Sequence, residues 1–194
     1  ARVRALLAFL ASEAGCPHAR DALAEMFWPE QPPGVALANL RHSLANLRKA
    51  IADATAQPPF LLVTQTTIQF NLAADTRVDL ADFMFYLPKV ASATPAACQA
   101  ALALRRGAFL AGFSLKSSPQ FEEWFAVMTE HVNHLAAQAL ACLVSDRLES
   151  GDFPQAIAWT RQQLALEPWN EEVHRQLIWQ LAMSGQHAAA LHHY

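Results

Sequence analysis

Residues 39–51 read NLRHSLANLRKAI, and the apolar side chains of this stretch recur at the spacing of one helical face. That face comprises Leu40, Leu44, Leu47 and Ile51. Because residues three and four apart stack on the same side of an α-helix, the pattern predicts an amphipathic helix over residues 35–52. Most other side chains of the stretch are basic or carry amides, and no acidic residue occurs between Gly34 and Ala52. One side of the helix therefore packs on its own domain, and the other is left for water or for a nucleic acid.

The composition is that of a well-packed, mainly helical protein. Hydrophobic residues make up 53% of the chain and there are only six glycines, which excludes a disordered chain. Alanine and leucine dominate, whereas β-branched residues are scarce outside residues 60–70, so helix is the expected secondary structure. No stretch of about 18 uninterrupted apolar residues occurs, so we expect no membrane-spanning segment.

The cysteines and histidines give no sign of a catalytic or metal site. The cysteines are Cys16, Cys98 and Cys142. They are far apart and form no CxxC pair, so they predict free thiols in a reducing cytoplasm. His131 and His134 do not form an HExxH motif, and neither a phosphate-binding glycine loop nor a nucleophile elbow is present. We expect a cytoplasmic protein that is not an enzyme and that holds no cofactor and no metal.

The charge of the chain is unevenly distributed. The formal net charge is −3, which is not typical of a nucleic-acid-binding protein. Residues 1–58, however, carry six basic and five acidic side chains, whereas residues 59–194 carry eight basic and twelve acidic ones. The positive charge is concentrated in the stretch 39–51, so a nucleic acid would be met there and not by the acidic part that begins at Val78.

The residues around this stretch predict a helix-turn-helix with a wing. An amphipathic helix is expected over residues 2–13, ended by Gly15, and a second short helix is expected to end at Trp28, before a proline. Three helices with short connections are typical of a helix-turn-helix unit. Residues 59–71 read PFLLVTQTTIQFN, in which two β-forming runs flank a short polar gap. This pattern predicts a hairpin over residues 60–70, which in this position would be a wing.

From Val78 onward the sequence predicts only helices. One helix should end at Pro88, and another should begin with Thr94 as its cap and Pro95 at its first position. A long helix is expected from near Pro119 to Gly151.

The C-terminal part contains an internal repeat. Gly151 and Gly185 are 34 residues apart, and Ala156 and Ala190 follow them at the same distance. The segment also fits the second helix of a tetratricopeptide repeat, in which the glycine lies at the turn, the alanine lies at a close helix contact and Pro168 ends the repeat. We predict that these five residues pack a tetratricopeptide-like repeat.

In this order the motifs resemble regulators that contain a bacterial transcriptional activator domain, including the antibiotic regulatory proteins (the SARP family). The matching stretches are RALLAFLA at 4–11, PH-R--LAEMFWPE at 17–30, ANLRHSLANLRKAI at 38–51, VDLADF at 78–83, LRRGAFLAGFSL at 104–115 and FEEW at 121–124. The resemblance covers essentially the whole chain.

The resemblance implies an OmpR-type winged helix-turn-helix over residues 1–73 and a tetratricopeptide-like bacterial transcriptional activator domain over residues 74–194. The expected fold class is therefore mainly α, with three helices and a β-hairpin wing followed by an all-α repeat domain. Members of the family begin with a small β-sheet before the first helix, which this chain lacks, and the helix that reaches Tyr194 should continue. We therefore expect a fragment of a longer regulator, with both domains truncated.

The resemblance also implies that the third helix is the recognition helix and that the wing tip meets the adjacent DNA backbone or minor groove. Side chains that reach base edges specify a sequence, while their basic neighbours neutralise phosphates. The implied DNA-binding residues are Asn39, Arg41, His42, Asn46, Arg48, Lys49, Thr64, Gln65 and Thr66. The implied partners are double-stranded promoter DNA, RNA polymerase, which the connection 28–34 would face, and a second copy of the chain.

Two alternatives stay open from the sequence. The basic and amide side chains of the third helix also fit a solvated helix face, which is common on protein surfaces. The protein would then be a non-catalytic interaction scaffold of helical repeats, with a vestigial winged helix as its cap.

Overall fold

A computed structural model of the protein describes residues 1–87 and 94–194. The chain divides into two compact units that interleave along the sequence. The first comprises Ala1–Ala81 and Leu110–Val127, and the second comprises Asp82–Phe109 and Met128–Tyr194. The domain boundary between residues 73 and 74 stays a prediction from the sequence.

Helices make up most of the described structure, and one small antiparallel sheet accompanies them, which confirms the predicted fold class of a winged helix followed by a helical domain. The helices are α1 (Arg2–Ser12), α2 (Arg20–Phe27), α3 (Pro33–Ala50), α4 (Asp79–Tyr86), α5 (Pro95–Leu104), α6 (Pro119–Glu149), α7 (Phe153–Leu166), α8 (Glu171–Met183) and α9 (His187–His193). The strands are β1 (His18–Ala19), β2 (Leu61–Val63) and β3 (Thr67–Phe70). The predicted stop at Pro88 lies outside the described residues.

The core of the first unit is built on the leucine face of α3, which packs against α1 and α2. Leu40, Leu44 and Leu47 are buried as predicted, and Ile51 is half-buried just beyond the helix. Burying a leucine contributes roughly 1.5–3 kcal/mol to folding. This face therefore determines how α3 is rotated in the unit.

Residues 110–127 complete this core, although they are far from it in sequence. Phe121 is fully buried and its ring centroid lies 5.6 Å from that of Phe27. The Nε1 group of Trp124 donates a hydrogen bond to Oε1 of Glu13 at 3.0 Å. The hydroxyl of Ser118 donates to the backbone carbonyl of Met26. The first turns of α6 therefore belong to the first unit, which the sequence did not predict.

The sheet has the strand order β1-β3-β2, and both pairs are antiparallel. Leu61 lies opposite Phe70 and Val63 opposite Ile68, which confirms the predicted hairpin. On the other side of β3, His18 lies opposite Ile68, in a two-residue strand that the sequence did not predict. A strand of two residues shows no alternation, so no sequence period could reveal it.

The hairpin turn has no glycine and is held by a side chain instead. The Oγ1 atom of Thr64 accepts hydrogen bonds from the backbone N–H groups of Thr66 at 3.2 Å and Thr67 at 2.9 Å. A hydroxyl that replaces a backbone acceptor in this way stabilises tight turns. The backbone N–H of Arg20 also donates to the carbonyl of Thr66, at 2.9 Å, so α2 begins against the turn.

The second unit contains α5 and α7–α9 together with most of α6. The hydroxyl of Thr94 accepts a hydrogen bond from the N–H of Ala97 at 3.2 Å, which confirms the predicted cap with Pro95 at the first helical position. Helix α8 packs against both α7 and α9. The buried apolar residues of this contact are Ile157, Leu164, Val173, Leu177, Leu181 and Ala190.

Three helices end in the same hydrogen-bonded turn, in which one residue adopts a positive φ. That residue is Ala52 after α3, Gly151 after α6 and Gly185 after α8, with φ of 55°, 76° and 80°. In each turn the next backbone N–H bonds the carbonyl five residues earlier, as Asp53 does to Arg48 at 2.9 Å. The positive φ explains why α3 ends at Ala50 and not at the predicted Ala52. Glycine adopts this conformation without strain and alanine does not.

This difference predicts opposite effects for two matched substitutions. We expect Gly151→Ala to lower the free energy of unfolding by about 1 kcal/mol, because no other group lies within 4 Å of the added methyl and only the backbone is strained. We expect Ala52→Gly to raise the stability of its unit by up to ~1 kcal/mol. Urea unfolding of both variants measures the two changes. A loss of stability in Ala52→Gly would contradict the assignment of strain to this residue.

A second prediction concerns His18, whose ring lies edge-on to that of Phe9 with centroids 4.8 Å apart. Among the described residues, no group forms a hydrogen bond with its buried Nε2 atom. Burial lowers the pKa of His18 from the ordinary value of 6.5, and the charge of Glu13 opposes this shift. The unfolded chain therefore takes up the proton more readily than the folded chain does, so stability present above pH 6.5 is lost as the pH falls toward the folded pKa.

We therefore expect the urea midpoint of the first unit to fall between about pH 7 and pH 5. His18→Phe keeps an aromatic ring beside Phe9 but cannot titrate, so its midpoint should depend less on pH over this range. An equal pH dependence in the two proteins would contradict the role given to His18.

Candidate nucleic-acid interface

Helix α3 presents a continuous exposed face opposite its leucines. Its exposed residues include Ala38, Arg41, His42, Ala45, Asn46, Arg48 and Lys49. Of the residues predicted on this helix to bind DNA, Asn39 is half-buried and the others are exposed. No acidic residue occurs in α3. The face therefore combines positive charge with amide and imidazole groups, which suit phosphates and base edges respectively.

The start of α3 is set by proline rather than by a side-chain cap. Pro32 precedes the helix in an extended conformation, and Pro33 occupies the first helical position, where a missing N–H group leaves no hydrogen bond unmade. Arg41 lies about two turns further on, and its Nε group donates to the carbonyl of Leu37 at 3.4 Å. The guanidinium of Arg41 therefore lies along the helix surface.

Arg48 differs from its neighbours because it is held by a buried carboxylate. Its Nε group lies 2.7 Å from Oδ2 of Asp53, and the side chains of Arg48 and Asp53 are 44% and 0% exposed. The other oxygen of Asp53 accepts a hydrogen bond from the backbone N–H of Leu61 at 3.0 Å. One carboxylate therefore joins the last turn of α3 to the first strand of the hairpin. The sequence did not reveal this ion pair, because interacting side chains on a helix are expected three or four residues apart and not five.

The three predicted wing-tip residues are exposed, but they are not equivalent. Thr64 uses its hydroxyl within the turn, where it also lies 2.8 Å from the hydroxyl of Thr67. Gln65 and Thr66 are exposed at the tip. The Nη1 group of Arg20 donates to the carbonyl of Thr64 at 3.1 Å and brings a cation to an otherwise uncharged turn. Arg20 was not predicted as a site residue, because 44 residues separate it from Thr64.

The five predicted repeat residues fall into two groups in the second unit. Ala156 in α7 and Ala190 in α9 are buried, where a larger side chain would separate the helices. Gly151 and Gly185 lie in the turns that end α6 and α8, and Pro168 lies in the turn between α7 and α8. These positions are compatible with a tetratricopeptide-like repeat, and that assignment stays a prediction.

Residues 1–87 and 94–194 contain no group of three or more His, Cys, Asp or Glu side chains placed to hold a metal ion. They also contain no helix long and apolar enough to cross a membrane.

Comparison with known proteins identifies the class to which this chain belongs. The family model described as the bacterial transcriptional activator domain matches residues 89–194, more than half of the chain. The chain therefore belongs to the bacterial transcriptional activator domain family, a family of transcriptional regulators, and the resemblance to regulators of the SARP type is confirmed. No match was found among curated proteins.

The chain is also similar to a solved regulator along its whole length. The structure of Mycobacterium tuberculosis EmbR in complex with a low-affinity phosphopeptide superposes with a TM-score of 0.76 and 25% sequence identity. The match covers 100% of this chain and 52% of the EmbR chain, so the chain spans about half the length of that protein. The similarity includes residues 1–87, which the family model does not cover.

The bridging carboxylate predicts a stability effect. We expect Asp53→Asn to lower the free energy of unfolding by about 1–3 kcal/mol, because it breaks a charge-assisted hydrogen bond and buries an amide in its place. Asp75→Asn removes the same charge at an exposed position and is the matched control. Urea unfolding measures both variants. Equal stability of the two variants would show that the Asp53 bridge contributes nothing to folding.

Proposed function

We propose that the protein is a transcriptional activator that binds promoter DNA with α3 and the hairpin β2–β3. The observation that carries the proposal is the exposed basic and amide face of α3, fixed in place by the buried leucines, in a chain of a regulator family. A major groove accommodates one α-helix, and the exposed face has the chemistry that such a groove requires.

The residues of this face divide by the groups they suit. Arg41, His42 and Asn46 hydrogen-bond base edges, and Asn39 lies at the margin of the face. Arg48 and Lys49 bind phosphates at the end of the helix. The small side chains of Ala38 and Ala45 allow the helix backbone to approach the base pairs closely. Sequence specificity then comes from the residues that contact base edges, and salt-dependent affinity comes from Arg48 and Lys49.

The hairpin supplies the second contact. Thr64, Gln65 and Thr66 meet the backbone or the minor groove beside the site of α3, and Thr64 holds the turn in shape. Uncharged side chains at this place orient the protein on the duplex and add little to its salt dependence.

The helical unit has other partners in this proposal. Residues 82–109 and 128–194, which form this unit, carry six basic and eight acidic side chains, and this negative balance does not favour contact with DNA. We propose that the repeats of this unit pair with a second copy of the chain. We also propose that residues 28–34, where α2 connects to α3, contact RNA polymerase; all of them except Trp28 are exposed. The protein then works in the bacterial cytoplasm, where its promoter is, and it catalyses no reaction.

A non-catalytic interaction scaffold is the second candidate. Its supporting observation is Trp169, which is 92% exposed in the turn between α7 and α8. A large exposed aromatic side chain is typical of protein interfaces. A scaffold would form no sequence-specific complex with DNA, so one binding experiment distinguishes the two candidates.

We test the proposal with the full-length protein and with duplexes that it enriches from a random-sequence pool. We expect Lys49→Gln to weaken binding to all duplexes and to lower the slope of log K against log salt by about one, because one phosphate contact is lost. Asn46→Ala should instead weaken the enriched sequence alone, by about 1–3 kcal/mol. Electrophoretic mobility shifts over a salt series measure both effects.

Lys116→Gln is the matched control, because it removes the same exposed charge from the first unit outside α3 and the hairpin. Its salt slope should equal that of the unchanged protein. If no sequence is enriched, or if Lys49→Gln and Lys116→Gln have equal effects, α3 is not the DNA-binding helix.

A further inference from the structure

We infer that Asp53 is a positioning residue of the DNA-binding surface, which holds the guanidinium of Arg48 in the orientation that binds a DNA phosphate. The inference rests on the proposed function and adds to it a residue that never touches the DNA. It also explains why a carboxylate lies directly behind a surface whose partner is an anion.

Two hydrogen bonds to the same residue fix Arg48. Asp53 binds this residue twice, because its backbone N–H donates to the Arg48 carbonyl at 2.9 Å and its Oδ2 accepts from Arg48 Nε at 2.7 Å. The positive φ of Ala52 folds the chain back so that both bonds form. The backbone and the side chain of Arg48 are therefore held by one residue.

Most N–H groups of the Arg48 guanidinium stay available to bind a ligand. A guanidinium carries five N–H groups, and the contact with Asp53 uses the one on Nε. Within the described ranges, no protein group binds either Nη atom of Arg48, and the side chain is 44% exposed beside exposed Lys49. A guanidinium held at Nε presents its two Nη groups as a fork, which matches the geometry of a phosphate.

The carboxylate of Asp53 also makes a second hydrogen bond, to the hairpin. Oδ1 of Asp53 accepts from the backbone N–H of Leu61, where β2 begins. Since β2 leads into the turn at Thr64, the Asp53 carboxylate fixes the position of both the Arg48 side chain and the base of the hairpin. Supporting groups of this kind make a binding site precise, because they remove the freedom of the groups that touch the ligand.

The competing explanation is that Asp53 neutralises Arg48 and keeps it from DNA. The two explanations predict opposite effects of Asp53→Asn on the affinity for DNA. If Asp53 neutralises Arg48, Asp53→Asn frees a positive charge, and binding strengthens. If Asp53 positions Arg48, Asp53→Asn leaves the guanidinium disordered, and binding weakens although a negative charge has been removed.

The test is a double-mutant cycle on DNA binding with the full-length protein and the enriched duplex, measured by fluorescence anisotropy over a salt series. Arg48→Gln should weaken binding about tenfold and lower the salt slope by about one. Asp53→Asn should weaken binding by about three- to tenfold, and in the Arg48→Gln protein its effect should be clearly smaller, because only its bond to the hairpin is then left to lose. Asp75→Asn, which removes an exposed negative charge, should not weaken binding.

All variants are made a second time with Ala52→Gly, which we expect to stabilise the same turn. Circular dichroism at the assay temperature verifies that each is folded. The inference is overturned if Asp53→Asn binds as tightly as the unchanged protein or more tightly, or if it weakens the Arg48→Gln protein equally. In those cases a lower salt slope in Lys49→Gln still supports the proposed function. If Lys49→Gln also has no effect on the slope, the proposed function fails as well.

Discussion

Burial of the α3 leucines is the interaction on which the rest of the first unit depends. Leu40, Leu44 and Leu47 pack against α1 and α2, and this stripe allows the helix a single rotation. Every other side chain of α3 takes its direction from that rotation. The basic and amide face is exposed for this reason and needs no further element to hold it open.

Two arginines link the helices of the first unit to its hairpin. Arg48 is tied through the carboxylate of Asp53 to the start of β2, and Arg20 is tied to the carbonyl of Thr64 at the turn. In both arginines, other N–H groups of the guanidinium stay available. Each bond also joins a helix to the hairpin. In the proposed function, helix and wing therefore meet the duplex as one surface, which is the condition for reading a sequence with few contacts.

The features that the sequence predicted are those in which neighbouring residues decide the structure. The leucine spacing placed α3, the β-forming runs placed the hairpin, Thr94 and Pro95 placed the start of α5, and glycine marked the end of α6. The predicted face of α3 is exposed for the same reason, although its contact with DNA stays a prediction. Where a signal was absent, the prediction failed. β1 has two residues, and alanine occupies the left-handed position after α3.

By itself the sequence determined the order of the helices and the hairpin, the basic stretch 39–51 and membership in a family of activator-domain regulators. Tertiary structure alone decided that residues 110–127 complete the first core and that Asp53 lies behind Arg48. It also decided that Arg20 stands at the hairpin turn. The physical reason is the range of the interactions. Helical and strand periods act over a few residues, whereas these contacts join positions that only the folded chain brings within hydrogen-bond distance.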